Sequence, residues 1–484
     1  MCPMFKIQSN LESCDILYLN LEDGKISTDL RVILPTKILN QIKTAQKSLT
    51  EDKNQVSTIV ELEGKPCKII LIAPKNKDSV IDLGTIIGQS IAKNESKQIA
   101  IPTIHIGLQN FIPNLAEGIL YGLYKYDNYL TESKKQQFQP KAVNFITNLK
   151  EKEVKTRLEE NINLAAAINY VKDLVNAPAI DCTPETLAKE AQTIAKNSSK
   201  IKVSVLKEKE IRKQKLNLLA SVAAGSVHEP YLITLEYKHK AKNKKPLMLV
   251  GKGVTFDAGG LNIKPTGNID TMKFDMAGAA TVLGVFKLLS KINLPIHVIG
   301  VIPTVENLLG HEAYKPGDII TAYNGKTVEI TNTDAEGRLI LADALSYGIK
   351  KHKPEAIMDF ATLTGACIQA LGNTMTGIIS NNESLYQKVE AASLLSQNKI
   401  WRLPLVDYFR EKVAGDISDY KNYTGGVGAG ASMAAAFLEK FVEDKPWVHF
   451  DIAGTAFYDS TIGYTPKGAT GQPLKLVYEF LKGY

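Results

Sequence analysis

The sequence feature that most constrains the fold is a regular alternation of strand-like and helix-like runs from about residue 200 to the C-terminus. Alternation of this kind is typical of βαβ units, in which consecutive strands lie parallel in one sheet. It therefore predicts an α/β domain with a mostly parallel central sheet. The predicted strands cover residues 202–206, 247–254, 296–303, 328–331, 357–363 and 447–452, and the predicted helices cover residues 277–292, 337–350 and 432–442.

The first part of the chain has a different character. Short β-rich runs alternate there with helical stretches, and no catalytic pattern is present. A chain of 484 residues also exceeds the length at which one hydrophobic core stops growing, so two domains are expected. The β-rich runs cover residues 68–73 and 98–106, and the helical stretches cover residues 85–93 and 111–124.

A long amphipathic segment separates the two parts. Apolar residues recur through it at helical spacing, and Asn176-Ala177-Pro178 ends it. Thr183 and Pro184 then supply the residue types of a helix N-cap and a first helical position. We therefore predict an N-terminal α/β domain, a connecting helix and a C-terminal α/β domain. Their bounds are residues 1–150, 151–176 and 177–484.

Composition and cysteine usage exclude several classes of protein. No run of eighteen apolar residues is present, which argues against a transmembrane helix, and residues 1–6 lack the pattern of a secretory signal. The five cysteines are odd in number, far apart and without a C-x-x-C pair. This usage argues against a disulfide framework and a cysteine-ligated zinc. We therefore expect a protein of a reducing compartment, the cytoplasm, with no membrane partner.

The net charge of +7 comes from lysine, since only six of the 58 basic residues are arginines. Proteins that read nucleic acids rely on the arginine fork for bases and phosphates. The densest basic run, residues 238–245, lies between two strand-like runs and is interpreted as a solvated loop. Charge therefore identifies no partner, and a nucleic-acid partner stays open without support.

Three familiar catalytic patterns are absent or incomplete. The seven histidines are scattered and no H-E-x-x-H occurs, which excludes a zinc protease of that type. No G-x-S-x-G is present, so an α/β-hydrolase serine is not expected. The glycine-rich run at 425–432 lacks the preceding strand and the lysine of a phosphate-binding loop. Close packing of the backbone at a helix start is the better interpretation of this run.

The informative feature is a set of carboxylates at the ends of predicted strands. Asp257 and the pair Asp334 and Glu336 follow predicted strands, and Asp275 precedes a helix of small residues. In an open α/β sheet, ligands bind beyond the carboxyl ends of the strands, where such turns converge. Four carboxylates there would repel one another unless a cation held them. The pattern therefore predicts two divalent ions with shared carboxylates.

Each member of this set also has a simpler interpretation. An aspartate before a helix is usually a cap, and Asp275 and Asp334 fit that description. Lys252 and Lys264 fit surface lysines or ion-pair partners. Four unrelated caps would not explain why two lysines and a D-x-E-x-R turn accompany these carboxylates. The combination therefore favours the metal site. Three further aspartates in this half of the chain are interpreted as structural, namely Asp343, Asp359 and Asp451.

These residues resemble a known family. Residues 332–339, Asn-Thr-Asp-Ala-Glu-Gly-Arg-Leu, are similar to the signature octapeptide of the leucyl aminopeptidase family of two-metal exopeptidases. The resemblance covers about residues 170–484, and before that only residues 117–129 look similar. Ala258 departs from the family pattern, which often has serine there, but the position supplies no ligand. Further similar segments lie at residues 251–265, 272–280, 361–366, 451–456 and 468–471.

The resemblance implies a metal ligand role for five residues. Asp257 and Glu336 would bridge two metal ions, Asp334 would complete the more exchangeable site, and Lys252 and Asp275 would complete the tighter one. A lysine ligand must be neutral, a state that an adjacent dication favours. Manganese or zinc is expected, although such a site also tolerates magnesium or cobalt.

The resemblance also implies how catalysis would proceed. A water acidified by both metals would attack the scissile carbonyl, and Lys264 would stabilise the negative charge that develops. Arg338 would hold a bicarbonate ion that serves as the general base. A free amino terminus bound to one metal would restrict cleavage to the N-terminal residue. The implied substrate-binding residues are Met272, Thr362, Leu363 (through its backbone), Gly365, Ala453 and Ala456.

The activity implied by this resemblance is that of a cytoplasmic leucyl aminopeptidase, with residues 177–484 as its catalytic domain. It would remove large apolar N-terminal residues such as leucine from peptides, and by resemblance alone it would form a homohexamer. Two alternatives stay open, a dipeptidase that prefers cysteinyl-glycine and a DNA-binding regulator with secondary peptidase activity. A substrate panel separates the first, and the salt dependence of DNA affinity tests the second.

Overall fold

A computed structural model of the 484-residue chain divides it into two compact units, Met1–Ala166 and Ala167–Tyr484. The division falls within the long helix Glu151–Asn176, which the sequence predicts as a connector. The predicted domain bounds at residues 150 and 176 stay a prediction. The structure describes residues 4–9, 11, 14–22, 25–26, 34–49, 55–62, 64–72, 79–94, 97–103, 110–132, 134–135, 140–239 and 245–484.

The described residues of the first unit form one mixed sheet with the strand order β1-β7-β6-β2-β5-β4, and β3 pairs with β2. The strands from β1 to β5 in this order run parallel, whereas β4 and β3 pair antiparallel with their neighbours. Residues 104–109, which include the end of a predicted β-rich run, lie outside the described residues. In the second unit the same holds for residues 240–244, most of the basic run predicted as a loop. The strands are β1 (Met4–Gln8), β2 (Ile16–Glu22), β3 (Lys25–Ile26), β4 (Gln55–Leu62), β5 (Lys65–Ile72), β6 (Gln98–Pro102) and β7 (Ala142–Ile146).

Two helices of the first unit, Val80–Asn94 and Phe111–Gly122, pack through their backbones. A Cβ added at Gly84 would collide with the Leu115 carbonyl oxygen, and one added at Gly118 would collide with the Ile81 carbonyl oxygen. Gly88 and Gly122 meet the opposite helix in the same way, at the carbonyl oxygens of Ile119 and Thr85. Glycine is therefore required at these four positions for space.

The second unit has the predicted α/β fold with a mostly parallel central sheet. Its strand order is β17-β16-β19-β15-β10-β12-β9-β8, and β11 pairs with β12. The central neighbours β19, β15, β10 and β12 are parallel, whereas β8, β9 and β16 add antiparallel pairs. The strands are β8 (Ile201–Leu206), β9 (Tyr231–Lys238), β10 (Leu247–Gly251), β11 (Gly253–Asp257), β12 (His297–Asn307), β15 (Ala356–Ala361), β16 (Thr376–Ser380), β17 (Ile400–Arg402) and β19 (Trp447–Asp451).

Helices cover both faces of this central sheet, which explains why its middle strands are mostly apolar. On one face, the helix Gly337–His352 packs closely on β10, because a Cβ at Gly348 would lie 2.4 Å from Met248 Sδ. On the other face, a Cβ at Gly300 of β12 would strike Phe286 of the helix Ala277–Leu289. Every residue of β10 and β15 is buried as a result.

The strand predicted at 247–254 is broken at Lys252 into β10 and β11. The Lys252 backbone N–H donates to the Phe360 carbonyl at 3.0 Å, and the Lys252 carbonyl accepts from the Ala279 N–H at 2.8 Å. Gly251 and Gly278 allow this close approach, because a Cβ on either would collide with neighbouring backbone. The break directs the Lys252 side chain beyond the end of β10.

Smaller elements complete the two units. Strands β13 (Ile319–Thr321), β14 (Thr327–Glu329) and β18 (Tyr420–Lys421) form a three-stranded sheet, and β20 (Phe457–Tyr458) pairs with β21 (Gly468–Ala469). Among the described residues, no helix combines the length and the apolar character that a membrane span needs. The remaining helices are Thr36–Gln46, Pro184–Lys196, Glu208–Lys213, Asn217–Ala223, Gly365–Leu371, Glu383–Ser396, Asp407–Lys412, Gly430–Glu439, Leu474–Gly483 and the 3₁₀ helix Ile269–Phe274.

Candidate metal centre

Carboxylates from separate segments of the second unit meet at the ends of its strands. Asp257 is the last residue of β11, and Asp334 and Glu336 lie on the turn between β14 and the helix Gly337–His352. Ligand oxygens of these three side chains all lie within 4.8 Å of one another. Asp257 and Glu336 are buried, and Asp334 is partly exposed. The convergence that the sequence predicts is therefore present.

Two lysines cross-link these carboxylates and bring in the fourth, Asp275. Lys252 Nζ lies 2.8 Å from Asp275 Oδ1 and 2.9 Å from Glu336 Oε1. Lys264 Nζ lies 2.9 Å from Asp257 Oδ2 and 2.5 Å from Asp334 Oδ1. All five residues predicted as metal ligands, together with Lys264, therefore belong to one cluster.

Burial makes the negative charge of this cluster costly. Burial raises the pKa of Asp257 to about 7 and holds the pKa of Asp275 well above its ordinary value. Burial also raises the pKa of Asp334. Burial acts in the same direction on Glu336, but the Lys252 and Lys264 ammonium groups outweigh it and lower the pKa of Glu336. The cluster thus has more acidic groups than its lysines neutralise, which is the electrostatic condition that a bound cation relieves.

The donor set fits divalent metal ions. Asp275 Oδ2 is buried and has no hydrogen-bond partner among the described residues, so a buried oxygen is left for a ligand. The other oxygen, Asp275 Oδ1, accepts from the Thr362 hydroxyl at 2.7 Å, which fixes the carboxylate plane. Lys252 Nζ also donates to the Thr362 carbonyl at 3.0 Å. Oxygen donors with one nitrogen, oriented by outer hydrogen bonds, suit a divalent metal ion.

Gly337 leaves room for the Lys252 side chain. A Cβ at Gly337 would lie 2.5 Å from Lys252 Cε and 2.6 Å from Lys252 Nζ. Residue 337 of the octapeptide is therefore a glycine because a Cβ there would collide with the Lys252 side chain.

We expect Gly337→Ala to lower kcat/KM by about 100-fold, because a displacement of about 1 Å in a catalytic group has an effect of that size. The measurement is steady-state hydrolysis of the peptide substrates that the family resemblance implies, with excess divalent metal ion. Gly483→Ala is the matched control, since a Cβ at Gly483 meets nothing within 4 Å. Equal activity of the two variants would contradict the requirement for space.

Arg338 has the geometry of an anion-binding residue. Its Nη1 donates to the Asn422 carbonyl at 2.8 Å, and its Nε is buried without a hydrogen-bond partner among the described residues. Burial lowers the pKa of Arg338 to about 10. The residue also lies in the first turn of the helix Gly337–His352, where free N–H groups favour an anion.

A cavity of about 800 Å³ opens over the cluster. Of the predicted substrate-binding residues, five line this cavity, namely Met272, Thr362, Leu363, Gly365 and Ala453. The sixth, Ala456, is buried but is not among the lining residues. The cavity is also lined by residues of the glycine-rich run, in which Gly426 and Gly428 have positive φ. The helix Gly430–Glu439 starts in this run, as the sequence predicts. The predicted close packing of its backbone is wrong at Gly426 and Gly428, where a Cβ would meet nothing within 4 Å.

The three aspartates interpreted as structural are all buried and hydrogen-bonded. Asp343 accepts from the Leu219 and Tyr323 N–H groups, and Asp359 accepts from Trp447 Nε1. Asp451 lies nearer the cavity. Its carboxylate accepts from the Leu363 N–H at 3.2 Å, the Thr364 hydroxyl at 2.7 Å and the Ala453 N–H at 3.2 Å. It therefore fixes backbone that lines the cavity, a role that the family-like segment 451–456 does not by itself indicate.

Comparison with known proteins identifies the family. The sequence model of the family described as "Cytosol aminopeptidase family, catalytic domain" matches residues 169–478. The chain therefore belongs to the cytosol aminopeptidase family. It is a metallo-exopeptidase of the aminopeptidase type.

Curated relatives and solved structures agree with this assignment. The chain is 46% identical over 324 residues to the probable cytosol aminopeptidase of Cenarchaeum symbiosum, with 66% of each chain covered. It is 41% identical over 396 residues to the corresponding protein of Clostridium tetani, with 81% of each covered. A mutant of tomato leucine aminopeptidase is similar with a TM-score of 0.87 and 30% identity, over 100% of this chain and 97% of that one. The bottromycin maturation enzyme BotP in complex with Mn is similar with a TM-score of 0.83 and 27% identity, over 97% and 99%.

Proposed function

We propose that this aminopeptidase uses two metal ions to release large apolar N-terminal residues, such as leucine, from peptides. The observation that carries the proposal is the convergence of Asp257, Asp334 and Glu336 oxygens within 4.8 Å. Lys252 and Asp275 would complete the ligand set. When bound, the two ions would polarise the scissile carbonyl and acidify a water molecule.

Lys264 is proposed as the group that stabilises the developing oxyanion. Its ammonium contacts Asp257 and Asp334 and lines the cavity, so it reaches the region where the peptide bond would lie. Burial acts to lower the pKa of Lys264, but the surrounding carboxylates outweigh it and raise that pKa. In the metal-free cluster Lys264 is therefore charged at neutral pH, the state that an electrophilic group requires.

The cavity lining supports a preference for apolar residues. Met272, Leu363, Ile368, Ala453 and Phe457 contribute apolar surface to the cavity. Apolar surface within a largely polar cavity binds side chains mainly through its removal from water. A leucine side chain fits this chemistry better than a charged one.

Arg338 is proposed to hold a bicarbonate ion as the general base. The sequence has 58 basic residues and only six arginines, so an arginine here indicates that lysine would not serve. The planar fork can bind a trigonal anion with two parallel hydrogen bonds, which an ammonium cannot reproduce. The buried Nε without a described partner supports this assignment.

Restoring bicarbonate to degassed buffer is expected to raise wild-type activity, and Arg338→Lys is expected to lose most of that response. The measurement is the initial rate as a function of bicarbonate concentration at constant metal loading. Arg402→Lys is the control, because Arg402 pairs with Glu383 in the part of the chain that does not line the cavity. A fully active Arg338→Lys enzyme, with a wild type indifferent to bicarbonate, would place the general base elsewhere.

The metal pair, cellular location and assembly are proposed as manganese or zinc, the cytoplasm and a homohexamer. Manganese is supported by the similar structure of BotP, which is a complex with Mn. The homohexamer rests on resemblance alone.

The experiment that tests the proposed function measures hydrolysis of leucyl-anilide by metal-stripped protein to which manganese or zinc is returned. We expect activity to appear with about two metal ions per chain and to be absent with N-acetyl-leucyl-anilide, which has no free amino terminus. A panel of aminoacyl substrates that includes cysteinyl-glycine separates the dipeptidase alternative. DNA affinity with a steep salt dependence would support the regulator alternative.

A further inference from the structure

Asn422 is a buried amide next to the candidate metal centre that the proposed reaction does not yet use. It directly follows β18 and is 0% exposed. β18 pairs with β14, the strand that leads into the turn with Asp334 and Glu336. Asn422 is therefore distant from this turn in sequence but adjacent to it in the fold.

The Asn422 side chain binds both ends of the turn. Its Oδ1 accepts from the Thr331 N–H at 2.9 Å and the Thr331 hydroxyl at 3.2 Å. Its Nδ2 donates to the Asn332 carbonyl at 2.7 Å and the Ala335 carbonyl at 3.3 Å. These contacts enclose Asp334 from both sides and end one residue before Glu336.

The Asn422 backbone makes two more contacts with the same region. Its N–H donates to the Glu329 carbonyl at 3.0 Å, and its carbonyl accepts from Arg338 Nη1 at 2.8 Å. One residue thus contacts the strand before the turn, the turn itself and the arginine after it.

We propose that Asn422 is a positioning residue that fixes the turn so that Asp334, Glu336 and Arg338 face the site together. This inference rests on the proposed function. The side-chain type supports it, because only an amide offers an acceptor to the Thr331 N–H and donors to two carbonyls in one planar group. Groups that orient metal ligands from outside typically change metal affinity or activity by about 10- to 100-fold when they are replaced.

The opposite side of the turn is held by a separate residue, Asn262. Its Oδ1 accepts from the Thr333 N–H at 2.8 Å, and its own N–H donates to Thr333 Oγ1 at 2.8 Å. Loss of Asn422 therefore loosens one side of the turn while the other stays attached. We expect altered ligand geometry in a folded protein.

The test compares Asn422→Asp with wild type by calorimetric titration of the metal-stripped protein with manganese. An ionised aspartate has the size of asparagine and keeps acceptor oxygens. It lacks the N–H donors that contact the Asn332 and Ala335 carbonyls. We expect manganese to bind about 10- to 100-fold more weakly and the bicarbonate response through Arg338 to shrink. Wild-type manganese affinity in folded Asn422→Asp would overturn the proposal.

Asn381→Asp is the matched control for a loss of stability alone. Asn381 also joins two backbone groups, because its Nδ2 donates to the Lys445 carbonyl at 3.0 Å and its Oδ1 accepts from the Trp447 N–H at 2.9 Å. It lies outside the cavity lining. We expect a lower melting temperature with unchanged manganese affinity, and an equal loss of affinity in both variants would also overturn the proposal.

Two further variants keep the outcomes separable. If Asn422→Asp fails to fold, Thr331→Val carries the test, because it removes the hydroxyl that contacts Asn422 Oδ1 and the Tyr423 carbonyl. A smaller loss of manganese affinity is then expected, and no loss overturns the proposal. Wild-type protein that binds no manganese at all would instead refute the proposed metal function. Asp257→Ala, measured in parallel, gives the loss of manganese binding expected when a proposed ligand is removed.

Discussion

Asp257→Ala and Glu336→Ala are each expected to reduce turnover to the background of uncatalysed hydrolysis. Each variant removes a carboxylate that the proposed arrangement shares between both ions, so neither ion keeps its full ligand set. The fold is expected to survive, because Asp257 is a buried acid whose pKa of about 7 reflects the cost of its burial. The measurement is peptidase activity with added manganese, together with circular dichroism.

The control for these variants is a buried aspartate outside the cavity. Asp343→Asn perturbs an acid that accepts from the Leu219 and Tyr323 N–H groups and does not line the cavity. We expect it to change stability and to leave turnover per folded molecule near the wild-type value. Turnover at the wild-type level in Asp257→Ala or Glu336→Ala, with manganese present, would refute the shared-ligand arrangement.

Lys264→Ala is expected to lower kcat by about 100- to 1,000-fold with a much smaller change in KM. The negative charge on the substrate oxygen develops only toward the transition state, so loss of the ammonium affects the chemical step more than substrate binding. Steady-state kinetics on leucyl-anilide, with metal content verified for each preparation, give the two constants separately.

Lys273→Ala provides a neighbouring lysine as the control. Lys273 Nζ donates to the Asn176 carbonyl at 2.6 Å, and the residue does not line the cavity. We expect its kcat to stay close to wild type. A Lys264→Ala enzyme whose defect lies mainly in KM would show that Lys264 binds substrate without stabilising the transition state.

The fold class of the second unit could be predicted from sequence because its signals are local. Runs such as 296–303 and 447–452 are mostly apolar, and both are strands with neighbours on each side. Thr183 also acts as the predicted N-cap, accepting from the Thr186 N–H at 3.3 Å. The break at Lys252 could not be predicted, because it depends on backbone contacts with Phe360 and Ala279 that exist only in the folded sheet.

The carboxylates of the candidate site could also be predicted from sequence, because their signal is local. Asp334 and Glu336 occur in a short, specific motif, and the structure brings them to Asp257. Asn422 has no such motif around it, and the family-like segment 451–456 does not show what Asp451 contacts. Their importance comes from hydrogen bonds to residues more than 80 positions away, which a single sequence does not record. Supporting residues of this kind are found only in three dimensions.

The backbone packing of the helices Val80–Asn94 and Phe111–Gly122 has a consequence for how the first unit can evolve. Glycines on each helix fit against glycines on the other, with Gly84 beside Gly118 and Gly88 beside Gly122. A mutation to any larger residue would push the helix axes apart, and no change in a neighbouring side chain could compensate, because the obstructing atoms belong to the backbone. We therefore expect substitutions to be tolerated on the outward faces of these two helices and not at the four glycines.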